Sequence, residues 1–248
     1  MNIYGLLFGL MVAAVVVCLI VVLWKRRLHR EFPFFFTYLI SVVLATIAED
    51  VVFHNPYLFF DVYWSFEGIH AVLALLALYE VFRRVFLVFC KAWPGFEVVF
   101  PVTAVVIVLL AGWNAASHPA IQADPIIVVL LAVGKVVRYL QAGVFALFFL
   151  LVWILGLDWE EYPFGIVLGF TISAVGAWLA YDVRSEYGIR FITFAKYAGP
   201  VTYLAAVLVW LAAFRRPQAA PKQWLLGVTP EQMLMQAKQY LALLKGNK

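Results

Sequence analysis

Residues 3–30 read IYGLLFGLMVAAVVVCLIVVLWKRRLHR. Positions 3–24 carry no charged side chain, and Lys25, Arg26, Arg27 and Arg30 follow at once. A helix needs roughly 20 mostly apolar residues to span a bilayer. Only helices and closed barrels satisfy their backbone polar groups in lipid. The run is continuous rather than alternating, so it predicts a helix and not a barrel strand. No positive residue precedes it and no small-residue cleavage site follows, which predicts a retained span rather than a cleaved signal peptide. The basic cluster places the N-terminus outside and the following turn in the cytoplasm.

The rest of the chain repeats the pattern. Further apolar runs cover residues 34–53, 65–89, 98–116, 126–155, 164–181 and 193–214, giving seven in all. Of the 248 residues, 66% are hydrophobic and 13% charged, and the mean hydropathy is +0.96. A soluble domain is about half apolar and about a quarter charged, so a water-soluble globule is excluded. The net charge of +4 reflects membrane orientation rather than nucleic-acid binding. The expected fold is all-α: a polytopic integral membrane protein with seven transmembrane helices over 1–216, the N-terminus outside and the C-terminus cytoplasmic. A cytoplasmic tail over 217–248 completes it.

Loop charges agree with that orientation. The segments His54–Trp64 and Asn114–Asp124, expected outside, contain no Lys or Arg, and the third outer loop holds Arg184 and Arg190. Arg83, Arg84, Lys91, Arg215, Arg216 and the tail lysines fall inside, and the acidic Asp158, Glu160 and Glu161 dissent. Orientation follows the Lys/Arg count rather than net charge. Trp64, Trp113 and Trp178 fall at outer ends, and Trp24, Trp93, Trp153, Trp159, Trp210 and Trp224 at or near inner ends, as an aromatic belt. In the tail, Thr229, Pro230 and Gln232 form a capping box ahead of Met233, Ala237, Tyr240, Leu241 and Leu244, predicting a short amphipathic helix. Cys18 and Cys90 imply neither a disulfide framework nor a metal motif.

Ionisable groups inside spans are functional candidates by default, though a buried pair can equally be structural. The fifth run carries Lys135, Arg138 and Gln141 on one face; the third carries Glu67, His70 and Glu80; the second ends in Glu49 and Asp50. At ~1.5 Å per residue, Arg138 lies roughly 18 Å below the outer surface and Glu80 roughly 21 Å. The expected midplane cluster is therefore Arg138 paired with Glu80 and supported by Gln141, with Lys135 reaching Glu49 and Asp50. Glu80 is about 80° around the helix from His70, so a separate outer cluster is expected from Glu67, His70, His54 and His118. Glu67 and His70 at i, i+3 could share a metal, but interfacial hydrogen-bonded histidines fit the spacing as well, and no metal or cofactor is assigned. In the sixth run Gly165, Gly169, Ser173 and Ala177 predict a tight packing seam, either within the bundle or at a dimer interface.

Two stretches carry a resemblance. Tyr63, Trp64 and Glu67 lead to Tyr79, Glu80, Val81 and Phe82. Arg138, Gln141 and Gly143 lead through Gly156, Leu157 and Trp159 to Phe164, Gly165, Ile166, Gly169 and Phe170. Together they resemble an uncharacterised family of polytopic bacterial inner-membrane proteins of acidobacterial type. The resemblance implies a multi-pass protein of the cytoplasmic membrane and supplies no chemistry.

The expected function is a small-molecule binding, sensing or signalling module with a polar midplane site. An accessory subunit of a larger membrane complex is the alternative, with contacts through helix 164–181 or the tail and the bilayer itself as the constant partner. An intramembrane enzyme or a transporter fits less well. The histidines lack hydrolase spacing, Ser173 has no histidine partner, and no inverted repeat is visible. Topology alone does not make a retinal protein, because the final run has only Lys196, near its outer end.

Overall fold

The structure is a computed structural model that describes residues 3–92, 94–117, 125–154, 161–187 and 192–215, together with Met235. Its regular elements are all helices: α1 Ile3–Lys25, α2 Pro33–Val52, α3 Pro56–Val85, α4 Leu87–Ala92, α5 Val99–Ser117, α6 Pro125–Ile154, α7 Glu161–Tyr187 and α8 Ile192–Arg215. Short 3-10 turns cover Leu28–Arg30 and Pro94–Val98. Six stretches, in α2, α3, α5 with its preceding turn, α6, α7 and α8, are long and apolar enough to cross a membrane, and α1 adds an apolar stretch over Met11–Lys25. This is the architecture of a helical multi-pass membrane protein. The expected tail helix, His118, Asp124 and the side chain of Lys135 lie outside the described residues.

The helices pair as three hairpins, α2–α3, α5–α6 and α7–α8, the last packed most extensively. α1 lies against α8 and α2, while α7 also touches α3 and α6. Glycines set the closest approach. A Cβ at Gly165 would lie 2.4 Å from the Cβ of Ala213, one at Gly169 would lie 2.1 Å from Trp210 Nε1, and one at Gly176 would lie 2.0 Å from Thr202 Oγ1. The partner number falls as the glycine number rises, so α7 and α8 are antiparallel. The expected seam is therefore a contact within the chain. Its closest approaches are at Gly165, Gly169 and Gly176.

Aromatic side chains fill the interior. Phe35 packs on Trp210 at 5.1 Å and on Phe214 at 5.7 Å, and Phe170 meets both Trp210 and Tyr38 at 5.0 Å. Phe82, Phe86, Phe96 and Phe100 form a second group joining α3 to the start of α5. Trp210 is fully buried, not a belt residue, and its Nε1 donates to the Ile166 carbonyl at 3.1 Å. Trp24, Trp113, Trp153 and Trp178 are exposed, as a belt requires. Hydroxyls within the spans turn back on their own helices, as Thr171 does to Val167 at 2.8 Å and Thr37 to Pro33 at 2.8 Å.

The cations gather at one end. Arg26 donates to the Arg215 carbonyl at 2.8 Å and to the Tyr162 hydroxyl at 3.3 Å, tying the ends of α1 and α8 to the start of α7. Arg84 pairs with Glu31 at 2.7 Å beside the Phe32 ring. Among the described side chains, Lys25, Arg26, Arg27, Arg30, Arg83, Arg84 and Arg215 share this end, whereas Glu49, Asp50, His54 and Asp61 lie toward the other.

The third helix departs most from the expectation. It starts at Pro56, not near residue 65, and Asn55 caps it by accepting from the N–H groups of Tyr57 at 3.2 Å and Leu58 at 3.4 Å. Most of the segment read as an outer loop is thus helical.

Candidate functional site: a buried ion pair between two helices

The earlier start of α3 changes which acid meets Arg138. Counted from the helix starts, Arg138 is 13 residues into α6 and Glu67 is 11 residues into α3 (138 − 125 and 67 − 56), while Glu80 is 24 residues in (80 − 56). At ~1.5 Å per residue this puts Arg138 and Glu67 within a few ångströms of the same depth and Glu80 more than 15 Å further along. Arg138 accordingly pairs with Glu67, its Nη2 donating at 2.5 Å, and its Nη1 donates to Gln141 Oε1 at 3.0 Å. The expected Arg138–Glu80 pair is not formed. The expected support from Gln141 is present, one turn along the same helix.

The pair is largely withdrawn from the surface. The Arg138 side chain is 15% exposed and that of Glu67 is 32%, while Gln141 is buried. Tyr38 of α2 lies within electrostatic range of both charges. The Tyr38 ring meets His70 edge-on at 5.7 Å, and its hydroxyl faces that of Tyr203 on α8. His70 faces the Ser41 carbonyl, and Ser41 Oγ donates to the Tyr38 carbonyl at 2.7 Å. Among the buried polar atoms here, His70 Nε2 has no hydrogen-bond partner, and the Tyr203 hydroxyl has none but the facing Tyr38 hydroxyl. Buried polar atoms are normally paired, so His70 Nε2 is the group here that lacks its expected partner.

The two expected clusters are thus redrawn. Glu67 and His70 belong with Arg138 and Gln141 in one site, and Glu80 belongs to another. The Glu80 carboxylate faces the backbone N–H groups of Phe34 and Phe35, where α2 begins and Phe32 provides no side-chain cap. An acid at the positive end of a helix is favourable, so Glu80 stands where it can serve the start of α2, with its Oε2 buried and without a hydrogen-bond partner. Glu49 is half-buried, within electrostatic range of Asp50 and Glu67, and Asp50 is exposed. His54 is exposed beside Phe53 and stands apart from the pair. Among the described residues, no three His, Cys, Asp or Glu side chains are placed to hold a metal ion.

Tyr38, Ser41 and Tyr203 carry no sequence signal that marks them as site residues. Each is a mildly polar residue within an apolar helix, and only the packing of α2, α3 and α8 brings them together. No protein-family model, curated protein or solved structure matches the chain.

Proposed function

We propose that the chain is a seven-span protein of a bacterial inner membrane, with its N-terminus outside, that binds a small polar molecule at the Glu67–Arg138–Gln141 centre. Occupancy would be passed to a partner through the basic end and the tail. The observation that carries this reading is the juxtaposition of a largely withdrawn ion pair with His70, whose Nε2 is buried without a hydrogen-bond partner and whose ring lies within electrostatic range of Glu67. Binding at such a site would stabilise the fold by mass action, by about 1.4 kcal/mol at a tenfold excess over Kd.

The test is thermal unfolding of the purified chain against a panel of amino acids and short carboxylates. At least one should raise the midpoint of the wild type and fail to do so in Tyr203→Phe and His70→Phe. A panel without effect, or with equal effect in the variants, would remove the proposal.

Orientation has its own test. Cysteine at Tyr57, which is 85% exposed, should be labelled by an impermeant maleimide from outside intact cells, whereas cysteine at Gln218 should not. The reverse pattern would invert the topology. The native Cys90 can stay in place: burial, with a smaller push from Glu97, raises its thiol above the usual range, so less thiolate is present at neutral pH.

A further inference from the structure

We infer that the turn between α1 and α2 is a binding site for the phosphate of an anionic phospholipid, formed by Lys25, Arg27 and Arg30 with Trp24 beside them. This site is independent of the Arg138 centre and lies at the basic end of the bundle.

The argument starts from how the cations of this end are used. Arg26 turns inward to the Arg215 carbonyl and the Tyr162 hydroxyl, and Arg84 takes Glu31, the one acid within the turn. The side chains of Lys25, Arg27 and Arg30 are exposed and make no ion pair or hydrogen bond with any described residue. Three positive charges within six residues therefore stand without a counter-charge there.

The turn that presents them is fixed. Arg27 adopts the left-handed conformation, with φ 59, which ends α1 and reverses the chain. Leu28 and Phe32 are buried beneath it, and the backbone closes on itself through Arg30 N to Arg27 O at 3.2 Å and Phe32 N to Leu28 O at 2.9 Å. A preformed turn loses little entropy on binding.

Its position selects a lipid. The cations directly follow the apolar stretch Met11–Lys25, so they sit where that helix would leave hydrocarbon. Trp24 is 61% exposed and stacks on His29 at 4.7 Å, placing an indole at the level of the headgroups. Each Lys or Arg near an anionic membrane surface contributes about fivefold in affinity.

The test uses the full chain reconstituted in phosphatidylcholine bilayers, with dibrominated phosphatidylglycerol or dibrominated phosphatidylcholine as quencher. The Trp24 signal is taken by difference from Trp24→Phe. Phosphatidylglycerol should quench it at a several-fold lower mole fraction than phosphatidylcholine. The preference should vanish in Lys25→Gln/Arg27→Asn/Arg30→Gln, where asparagine is chosen because it tolerates a positive φ. If that variant does not fold, Arg30→Gln alone should still lower the preference by up to about fivefold. Equal quenching by the two lipids in the wild type, or a preference unchanged in the variants, would overturn the site. So would inorganic phosphate abolishing the preference where chloride of equal ionic strength does not, since the ligand would then be a free anion. A preference that emerged only in Glu160→Gln/Glu161→Gln would assign the cations to acids of the same chain and overturn it as well.

Discussion

Gly169→Ala should cost about 2–4 kcal/mol, and Gly169→Leu should leave little folded protein. The added Cβ would stand 2.1 Å from Trp210 Nε1 and 2.5 Å from Cε2. Trp210 cannot retreat, because it is fully buried, lies 5.1 Å from Phe35 and 5.0 Å from Phe170, and is tethered to the Ile166 carbonyl. Overpacking typically costs about 1–3 kcal/mol, and the lost hydrogen bond adds roughly 1 kcal/mol. Gly112→Ala is the control: it makes the same change in α5 where a Cβ meets nothing within 4 Å, so it should be neutral or slightly stabilising. Trp210→Phe removes the atoms in conflict, so the double variant with Gly169→Ala should be more stable than the sum of the two single effects. Reversible unfolding in mixed micelles measures all four. Wild-type stability of Gly169→Ala would mean that α7 and α8 do not meet along this face.

The residues explain why some of this was legible in the sequence. Long continuous apolar runs give helices of spanning length, and the basic residues after the first run mark one end of the bundle. The start of α3 was obscured because Tyr57, Asp61, Tyr63, Trp64 and Ser65 lower the hydropathy of its first turns. Asn55 and Pro56 held the missing signal, an N-cap followed by proline at the first helical position. Nine residues of misplaced helix start (65 − 56) amount to roughly 13 Å of depth, enough to pair Arg138 with the wrong acid. Trp210 was illegible for another reason. Tryptophan near a helix end reads as an interfacial residue, and it is the missing side chain of Gly169 on α7 that leaves room for it inside. Glu80 likewise looks like a buried charge in need of a cation, until the fold puts the open end of α2 against it.

Breaking the Arg138–Glu67 pair should be costly from either side, but not equally. Removing one partner of a buried pair strands the other, typically at about 3–5 kcal/mol. Arg138→Leu leaves Glu67, whose side chain is the more exposed of the two and can be solvated. Glu67→Leu leaves Arg138, whose guanidinium does not deprotonate, without its carboxylate partner, the Gln141 Oε1 bond still in place. Glu67→Leu should therefore be the more damaging single change. Glu67→Leu/Arg138→Leu replaces both charges with apolar side chains and should recover most of the loss, since such replacements are often neutral. The coupling energy from this cycle should reach a few kcal/mol, whereas Glu80→Leu with Arg138→Leu should be additive, because Glu80 serves the start of α2. Strong coupling of Arg138 to Glu80 with none to Glu67 would sink the assignment of the pair. A double leucine variant that regains stability yet loses the response to the small molecule that stabilises the wild type would separate holding α3 against α6 from the proposed binding role.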